Sequence, residues 1–391
     1  MPKYKAWIAL LMATLSFTIT FAVWSLLSPL ATQIQQEFHL SEIEVSIMLA
    51  VPVILGSLAR IPMGLLTDRF GGRRVMTFLL LFTAAPLLGM TTSTGLWGFL
   101  LWGFLLGVAG SSFAVGVPLV NSWFPPERQG LVIGIFGIGN VGSAISASLA
   151  PQISKLAGNW RPNFWAGAII ILVMALAFYL LVSDAPQAGA KKQSARQQLT
   201  LLKRKEVWLL SLFYFVTFGG LVAFGLYLPK LLIDNFGLDK IDAGNRTAIF
   251  VMAATFTRPL GGWLSDKVSA RLLVRIVFTG LPVLALILAF QPTMPILTIC
   301  FLLIALLLGI GNGAVFKLVP QQFPKEAGTV TGLVGAAGGL GGFFPPIVMG
   351  MIKTMTGAYT LGYIPLALLA ALCLFFSLRG TNNLMRAASA S

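Results

Sequence analysis

A chain of 391 residues that is 57% hydrophobic and 10% charged, with a mean hydropathy of +0.87, is not a soluble globular protein, for which about 25% charged residues is usual. Its net charge of +15 would suggest nucleic acid in a soluble protein, but here the charge must be read by position. The single histidine, His39, excludes a His-based zinc site or a Ser-His-Asp triad inside a membrane. Cys300 and Cys373 fall in separate apolar runs without metal-ligand spacing, so no metal and no disulfide is expected.

Apolar runs of spanning length, roughly 20 residues each, recur along the whole chain. In order they cover about 7–29, 43–66, 74–92, 96–119, 128–150, 163–183, 206–230, 243–265, 271–291, 295–317, 328–351 and 361–379. The first is too long for a signal peptide and has no small-residue cleavage site after it. Eighteen of the 27 Lys and Arg fall on the side of these spans that carries both termini, six on the other side, and Arg60, Arg258 and Lys317 inside. The positive-inside rule then predicts a multi-pass protein of the cytoplasmic membrane with both termini in the cytoplasm. The basic excess is an orientation signal, so lipid and not nucleic acid is the expected surroundings.

The second span holds Arg60 in Arg60-Ile-Pro-Met-Gly-Leu-Leu-Thr-Asp68-Arg69, and the eighth holds Arg258 in Arg258-Pro-Leu-Gly-Gly-Trp-Leu-Ser-Asp266-Lys267. The two arginines are 198 positions apart. Gly130, Gly134 and Gly137 of the fifth span match Gly328, Gly332 and Gly335 of the eleventh at the same offset. The chain therefore reads as a duplication: 1–185 as an N-terminal six-helix bundle, 186–205 as a polar cytoplasmic linker, and 206–391 as a C-terminal six-helix bundle. Six spans per repeat give both halves the same orientation, with the binding site expected between them at mid-membrane.

Arg60 stands eight residues before Asp68, and Arg258 eight before Asp266. At 1.5 Å per residue each lies about 12 Å inside the membrane. Arginine cannot neutralise itself by losing a proton, and an intramembrane charge marks a substrate path by default. All twelve carboxylates fall outside the spans or at their ends, so none is expected beside the arginines and no carboxylate proton relay is expected in the core. Two fixed cations without an acid call for an anion. Lys317 closes the tenth span, where it either draws the anion or snorkels to the surface.

Gly64 to Arg74, with Asp68, Arg69 and Arg73, and its counterpart Gly262 to Lys267, with Asp266 and Lys267, sit at a cytoplasmic mouth. They resemble the loop signature of the major facilitator superfamily, which implies a gate that latches the cytoplasmic ends in the outward-facing state. The fifth span reads Gly134-Ile-Phe-Gly137-Ile-Gly139-Asn140-Val-Gly142, and the eleventh Gly332-Leu-Val-Gly335-Ala-Ala-Gly338-Gly339. Such small residues suit close helix packing. No βαβ context surrounds the GxGxxG match at Gly137, so no dinucleotide cofactor is implied.

These glycine runs, with Gly311-Asn-Gly-Ala-Val-Phe-Lys317 and Thr356-Gly357-Ala-Tyr359, resemble the nitrate/nitrite porter family of that superfamily over essentially the whole chain. The resemblance implies a twelve-helix carrier that binds one nitrate or nitrite between Arg60 and Arg258, works as a monomer and needs no cofactor. It also implies aromatic rings sandwiching the anion and an Asn donating to it, matched here by Phe21, Phe113, Tyr214, Phe218 and Asn140. The chain departs from the family at Ile135-Phe136, where a further polar residue is frequent. A planar, delocalised anion fits a guanidinium fork. A carrier of another small anion such as a carboxylate, and a channel or sensor, stay open at this level. So does exchange against proton symport. No constellation for enzyme catalysis is present.

Overall fold

The computed structural model describes residues 3–185, 201, 203–290, 292–323 and 327–388, and these are helical without strands. Most of the expected linker lies outside them, as do the side chains of Asp68 and Asp266. Eleven segments are long and apolar enough to cross a membrane: α1 (Tyr4–Phe38), α2 (Glu42–Thr67), α3 (Gly72–Thr91), α4 (Leu96–Asn121), α5 (Val132–Ala157), α6 (Arg161–Leu181), α7 (Lys205–Phe236), α9 (Ala270–Ala289), α10 (Met294–Val319), α11 (Val330–Thr356) and α12 (Thr360–Arg379). Between α7 and α9 lies α8 (Lys240–Lys267), 28 residues long, whose apolar character is diluted by Asp242, Arg246 and Arg258. The twelve apolar runs are thus twelve helices. Their perimeter is apolar, with Phe78, Leu101, Ile169, Val173 and Leu368 exposed, a surface that hydrocarbon rather than water would cover.

Local chemistry sets the helix ends. Ser41 and Glu44 form a reciprocal capping box at the start of α2, which satisfies backbone donors that would otherwise lack partners. Asp239 caps α8 through the N–H groups of Ile241 and Asp242. Several helices run further than their apolar stretches, α1 to Phe38, α5 to Ala157, α7 to Phe236 and α11 to Thr356. Polar side chains there pair with one another: Lys230 and Asp234, one turn apart on α7, are 2.8 Å apart.

The helices α1–α6 pack on one another, as do α7–α12, and the two halves meet along three seams, α5 on α8, α2 on α11 and α1 on α7. The seams are tight at the end of the bundle away from the termini. A Cβ on Gly244 would lie 2.1 Å from the Ala147 carbonyl oxygen, and one on Gly350 2.0 Å from Ser46 Oγ. Ser148 Oγ donates to Asn245 Oδ1 at 2.7 Å, and Ser28 Oγ to the Leu226 carbonyl at 2.6 Å. Toward the termini the seams part, and nothing lies within 4 Å of a Cβ built on Gly134, Gly137 or Gly332. The bundle is closed at its far end and open toward its termini.

The link from α2 to α3 is folded against its own half. Gly71 has φ +86°, and a Cβ there would fall 2.4 Å from Asp184 Oδ2 at the end of α6. Asp184 in turn accepts the Arg73 backbone N–H at 2.9 Å. Replacing Gly71 with Ala should lower stability by about 2 kcal/mol, since strain and steric conflict coincide. The thermal midpoint of the purified protein in detergent checks this; an unchanged midpoint would mean the link rearranges freely.

A central cationic site

Five helices that line the centre are interrupted. The first breaks between Trp24 and Leu27, α2 at Ala59, α4 in a 3₁₀ turn at Gly107–Ser111, α5 in another at Ile138–Asn140, and α11 at Gly341–Phe343. Irregular backbone inside a membrane bundle is tolerated where protein or a cavity satisfies it. The breaks adjoin one another, since a Cβ on Gly110 would meet both Gly56 and Trp24, and one on Gly339 would meet Ser57 and Arg60.

Arg60 opens the second segment of α2 and is buried, 6% exposed. Its Nε donates to the Gly110 carbonyl at 3.3 Å, and its NH1 donates to the Gly335 carbonyl on α11 at 2.5 Å. One guanidinium from the first half therefore bonds to the second. Arg258 is half-buried on α8, its Cζ 5.7 Å from the Phe113 ring centre, 6.0 Å from Tyr214 and 5.1 Å from Phe316. Neither arginine forms an ion pair with a carboxylate among the described residues.

Three of the expected aromatic residues, Phe113, Tyr214 and Phe218, lie beside this pair. Tyr214 and Phe218 stack at 5.1 Å with 5° between their planes, and Phe218 lies 5.4 Å from Arg60 Cζ. The charges of both arginines act on the Tyr214 hydroxyl. Phe113 connects through Phe17 to Phe21. Phe21, Phe218 and Asn140 line one cavity with Trp24, Ser25 and Ser143, on the closed side of the arginines. There Asn140 donates to the Gly137 carbonyl at 3.0 Å, so one amide N–H is already engaged.

The glycines divide by role. A Cβ on Gly139 would fall 2.3 Å from the Phe17 ring and one on Gly338 2.1 Å from the Tyr214 ring, so these two make room for aromatic side chains. Gly335 has only Arg60 near it, and Gly134, Gly137 and Gly332 face open space. The expected gate residues do not bridge the halves where they are described. Arg73 donates twice to the Tyr179 carbonyl on α6, Arg69 covers Phe70, and Lys267 lies 4.0 Å from the Trp263 ring.

Three site residues were not picked out from sequence. Phe316 on α10 contacts Arg258 and packs edge-on to Tyr214 at 4.7 Å. Ser57 and Thr255 each stand three residues before an arginine and are again 198 positions apart. Both hydroxyls are buried without a hydrogen-bond partner, although most helical Thr and Ser bond a carbonyl of the preceding turn. The duplication offset that paired the arginines would have paired these hydroxyls too. If they donate to a bound anion, Ser57→Ala should raise its KM about tenfold, the cost of one hydrogen bond to a charged group. An unchanged KM in transport assays would mean that Ser57 only packs.

Two of the six basic residues on the far side of the spans are Lys230 and Lys353. Both lie in helices, and Lys230 is 1% exposed. Glu42 and Asp234 join them between the halves, so two partly exposed carboxylates sit in the seam at the closed end. The sequence places these acids correctly at helix ends but does not reveal that the ends converge.

Helices α1–α6 and α7–α12 that meet along seams closed at one end and parted at the other, around two arginines without an ion pair among the described residues, have the arrangement of a membrane carrier. The sequence profile of the Major Facilitator Superfamily matches residues 13–346, and the chain belongs to that superfamily. It is 41% identical over 360 residues to a nitrite extrusion protein of Bacillus subtilis, covering 92% of this chain and 91% of that one. It is also 41% identical over 374 residues to a probable nitrate transporter NarT of Staphylococcus haemolyticus, covering 95% and 96%. Among solved structures, a bacterial homologue of the human lysosomal transporter Spinster, in an inward-facing and occupied conformation, aligns with TM-score 0.75 at 18% identity over 95% of this chain and 96% of that one.

Proposed function

We propose that this protein carries nitrate and/or nitrite across the cytoplasmic membrane, holding one anion between Arg60 and Arg258. The observation that carries the reading is the pair of guanidiniums set in one aromatic cluster with no ion-paired carboxylate among the described residues. The names of the relatives support the substrate. Both termini are cytoplasmic, so the conformation described is inward-facing. The monomer contains bundles 1–185 and 206–391 joined by a cytoplasmic linker at 186–205.

The anion enters from the open side and meets Arg258 first, because Arg60 is engaged with Gly335. A guanidinium fork matches two oxygens of a planar anion. Nitrate is the conjugate base of a strong acid, so fixed charge serves it better than a proton donor would. Tyr214, Phe218 and Phe113 flank the flat anion, while Asn140, Ser57 and Thr255 donate to its oxygens. As the anion takes over the hydrogen bonds of Arg60, the bond between the halves at Gly335 is released, and rocking about the site becomes possible. Gly134, Gly137 and Gly332 then allow close contact of the inner ends. Asp68, Arg69 and Arg73, with Asp266 and Lys267, latch those ends in the outward-facing state.

The test is uptake of labelled nitrate into liposomes holding the purified protein, preloaded with nitrite or empty, with and without an inward proton gradient. Saturable uptake is expected. Stimulation by internal nitrite alone establishes exchange, and stimulation by the gradient alone establishes symport. No saturable uptake in any condition, with uptake of a small carboxylate instead, would assign the arginines to a different anion. Uptake that never saturates would indicate a channel.

A further inference from the structure

The closed end holds a second charged cluster, two lysines paired with two carboxylates. Lys230, from α7, directs its ammonium at Gln35 Oε1 and Asp234 Oδ2, each 2.8 Å away, and at Glu42 Oε2, 3.1 Å away. Lys353, from α11, lies 2.5 Å from Asp234 Oδ2 and 3.7 Å from Glu42 Oε2. The Tyr359 hydroxyl also donates to Asp234 Oδ2, at 2.6 Å. Both lysines, Asp234 and Tyr359 belong to the second half of the protein. Glu42 and Gln35 belong to the first.

The two carboxylates are held differently. Asp234 moves with the lysines and accepts hydrogen bonds from Lys230, Lys353 and Tyr359. Glu42 is carried by the opposite half. Its Oε1 accepts from Gln35 at 3.0 Å and from Lys230 at 3.4 Å. Its Oε2 lies between the two ammonium groups, 3.1 Å from Lys230 and 3.7 Å from Lys353, with no hydrogen bond among the described residues. When the halves separate at this end, Glu42 and Gln35 leave together. Two lysines then face one aspartate, and the second half is left with one excess positive charge at the mouth that opening exposes. An excess positive charge lining a cleft attracts an anion from solution.

We propose that Lys230 and Lys353 form an outer capture site for a monovalent planar oxyanion, and that Glu42 occupies this site in the closed state as an intramolecular stand-in. A carboxylate and nitrite are both bent O–X–O groups with one negative charge, so the same ammonium pair serves either. This inference rests on the proposed transport of nitrate or nitrite. In the outward-open state an arriving anion settles on Lys230 and Lys353. Closure brings Glu42 back, which displaces the anion toward the cavity of Phe21, Asn140 and Phe218 and then to Arg60 and Arg258. The order of events makes Glu42 a competitor of the external anion.

The experiment measures KM for labelled nitrite at each face separately, using the full chain in liposomes of determined orientation. Lys353→Gln should raise KM at the outer face about tenfold, as expected for loss of one partly buried charge contact, and by much less at the inner face. Glu42→Gln should lower KM at the outer face, because the competitor is gone. Lys353→Arg should restore the outer KM, which separates charge from folding. A latch without a binding site predicts otherwise: both neutral substitutions would weaken closure, favour the outward-open state and shift the outer KM in the same direction. That result, or an outer KM indifferent to Lys353→Gln, overturns the inference while leaving the central site intact. Failure of the unaltered protein to take up nitrate or nitrite would instead overturn the functional reading and this inference with it.

Discussion

Replacing Arg60 with Lys should reduce kcat/KM for nitrate or nitrite by at least about 100-fold, since disrupting a buried, hydrogen-bonded charge contact costs roughly 2–5 kcal/mol. The charge survives the substitution, so the loss isolates geometry. Arg60 reaches Gly110 on one side and Gly335 on the other with separate nitrogens. A planar fork can leave one bond in place while the other is handed to an anion. An ammonium group on a flexible stem is a point charge and cannot hold that arrangement. Amounts of protein in the membrane should be unchanged, because Lys retains most of the buried stem. Initial rates in liposomes, corrected for protein content, provide the check. Near-normal transport by Arg60→Lys would show that charge alone suffices and that the fork has no special role.

The second large effect is expected at Gly338. A Cβ there would sit 2.1 Å from Tyr214 Cδ1 and 2.6 Å from Cε1. The ring cannot move aside cheaply, because it is stacked on Phe218 and packed edge-on against Phe316. Overpacking of this sort costs roughly 1–3 kcal/mol, and here the displaced group belongs to the binding site. Gly338→Ala should therefore raise KM by at least about tenfold, a shift of about 1.4 kcal/mol. Gly332→Ala makes a useful contrast, since its Cβ would meet open space. Binding from the inner face should survive that change, while turnover should fall if inner closure packs this glycine. Equal effects of the two substitutions on KM would refute the division of roles among the glycines.

Much of the fold is legible from residue type. Twelve apolar runs become twelve helices because hydrocarbon leaves a backbone few other ways to satisfy its hydrogen bonds. The arginine pair is legible for the opposite reason: a charge in an apolar run is rare enough to stand out, and the 198-residue offset pairs it with another. Tyr214, Phe218, Phe113, Phe21 and Asn140 follow from the resemblance; the first three lie beside those arginines, and Phe21 and Asn140 line the neighbouring cavity with Phe218.

Other features depend on tertiary geometry. Phe316 is one of 29 phenylalanines, and nothing local distinguishes it from those that pack or face lipid. The six glycines look alike in sequence, but each role depends on which neighbour crosses there. The burial of Lys230 depends on α7 continuing past its apolar run and on α1, α2 and α11 arriving at the same place. Even so, the spacing of Lys230 and Asp234 was a local clue, since a lysine four residues before an aspartate on a helix can pair with it.

The most direct test of the central claim is equilibrium binding of labelled nitrite to purified protein, compared with Arg258→Gln. Arg258 borders the open side of the site and makes no hydrogen bond between the halves among the described residues, so its substitution should spare the fold. One saturable site per chain is predicted for the unaltered protein, displaced by nitrate. At least a tenfold weaker affinity is expected for Arg258→Gln, about the cost of losing one charge-assisted contact. Unchanged affinity in that variant would contradict an anion held between Arg60 and Arg258.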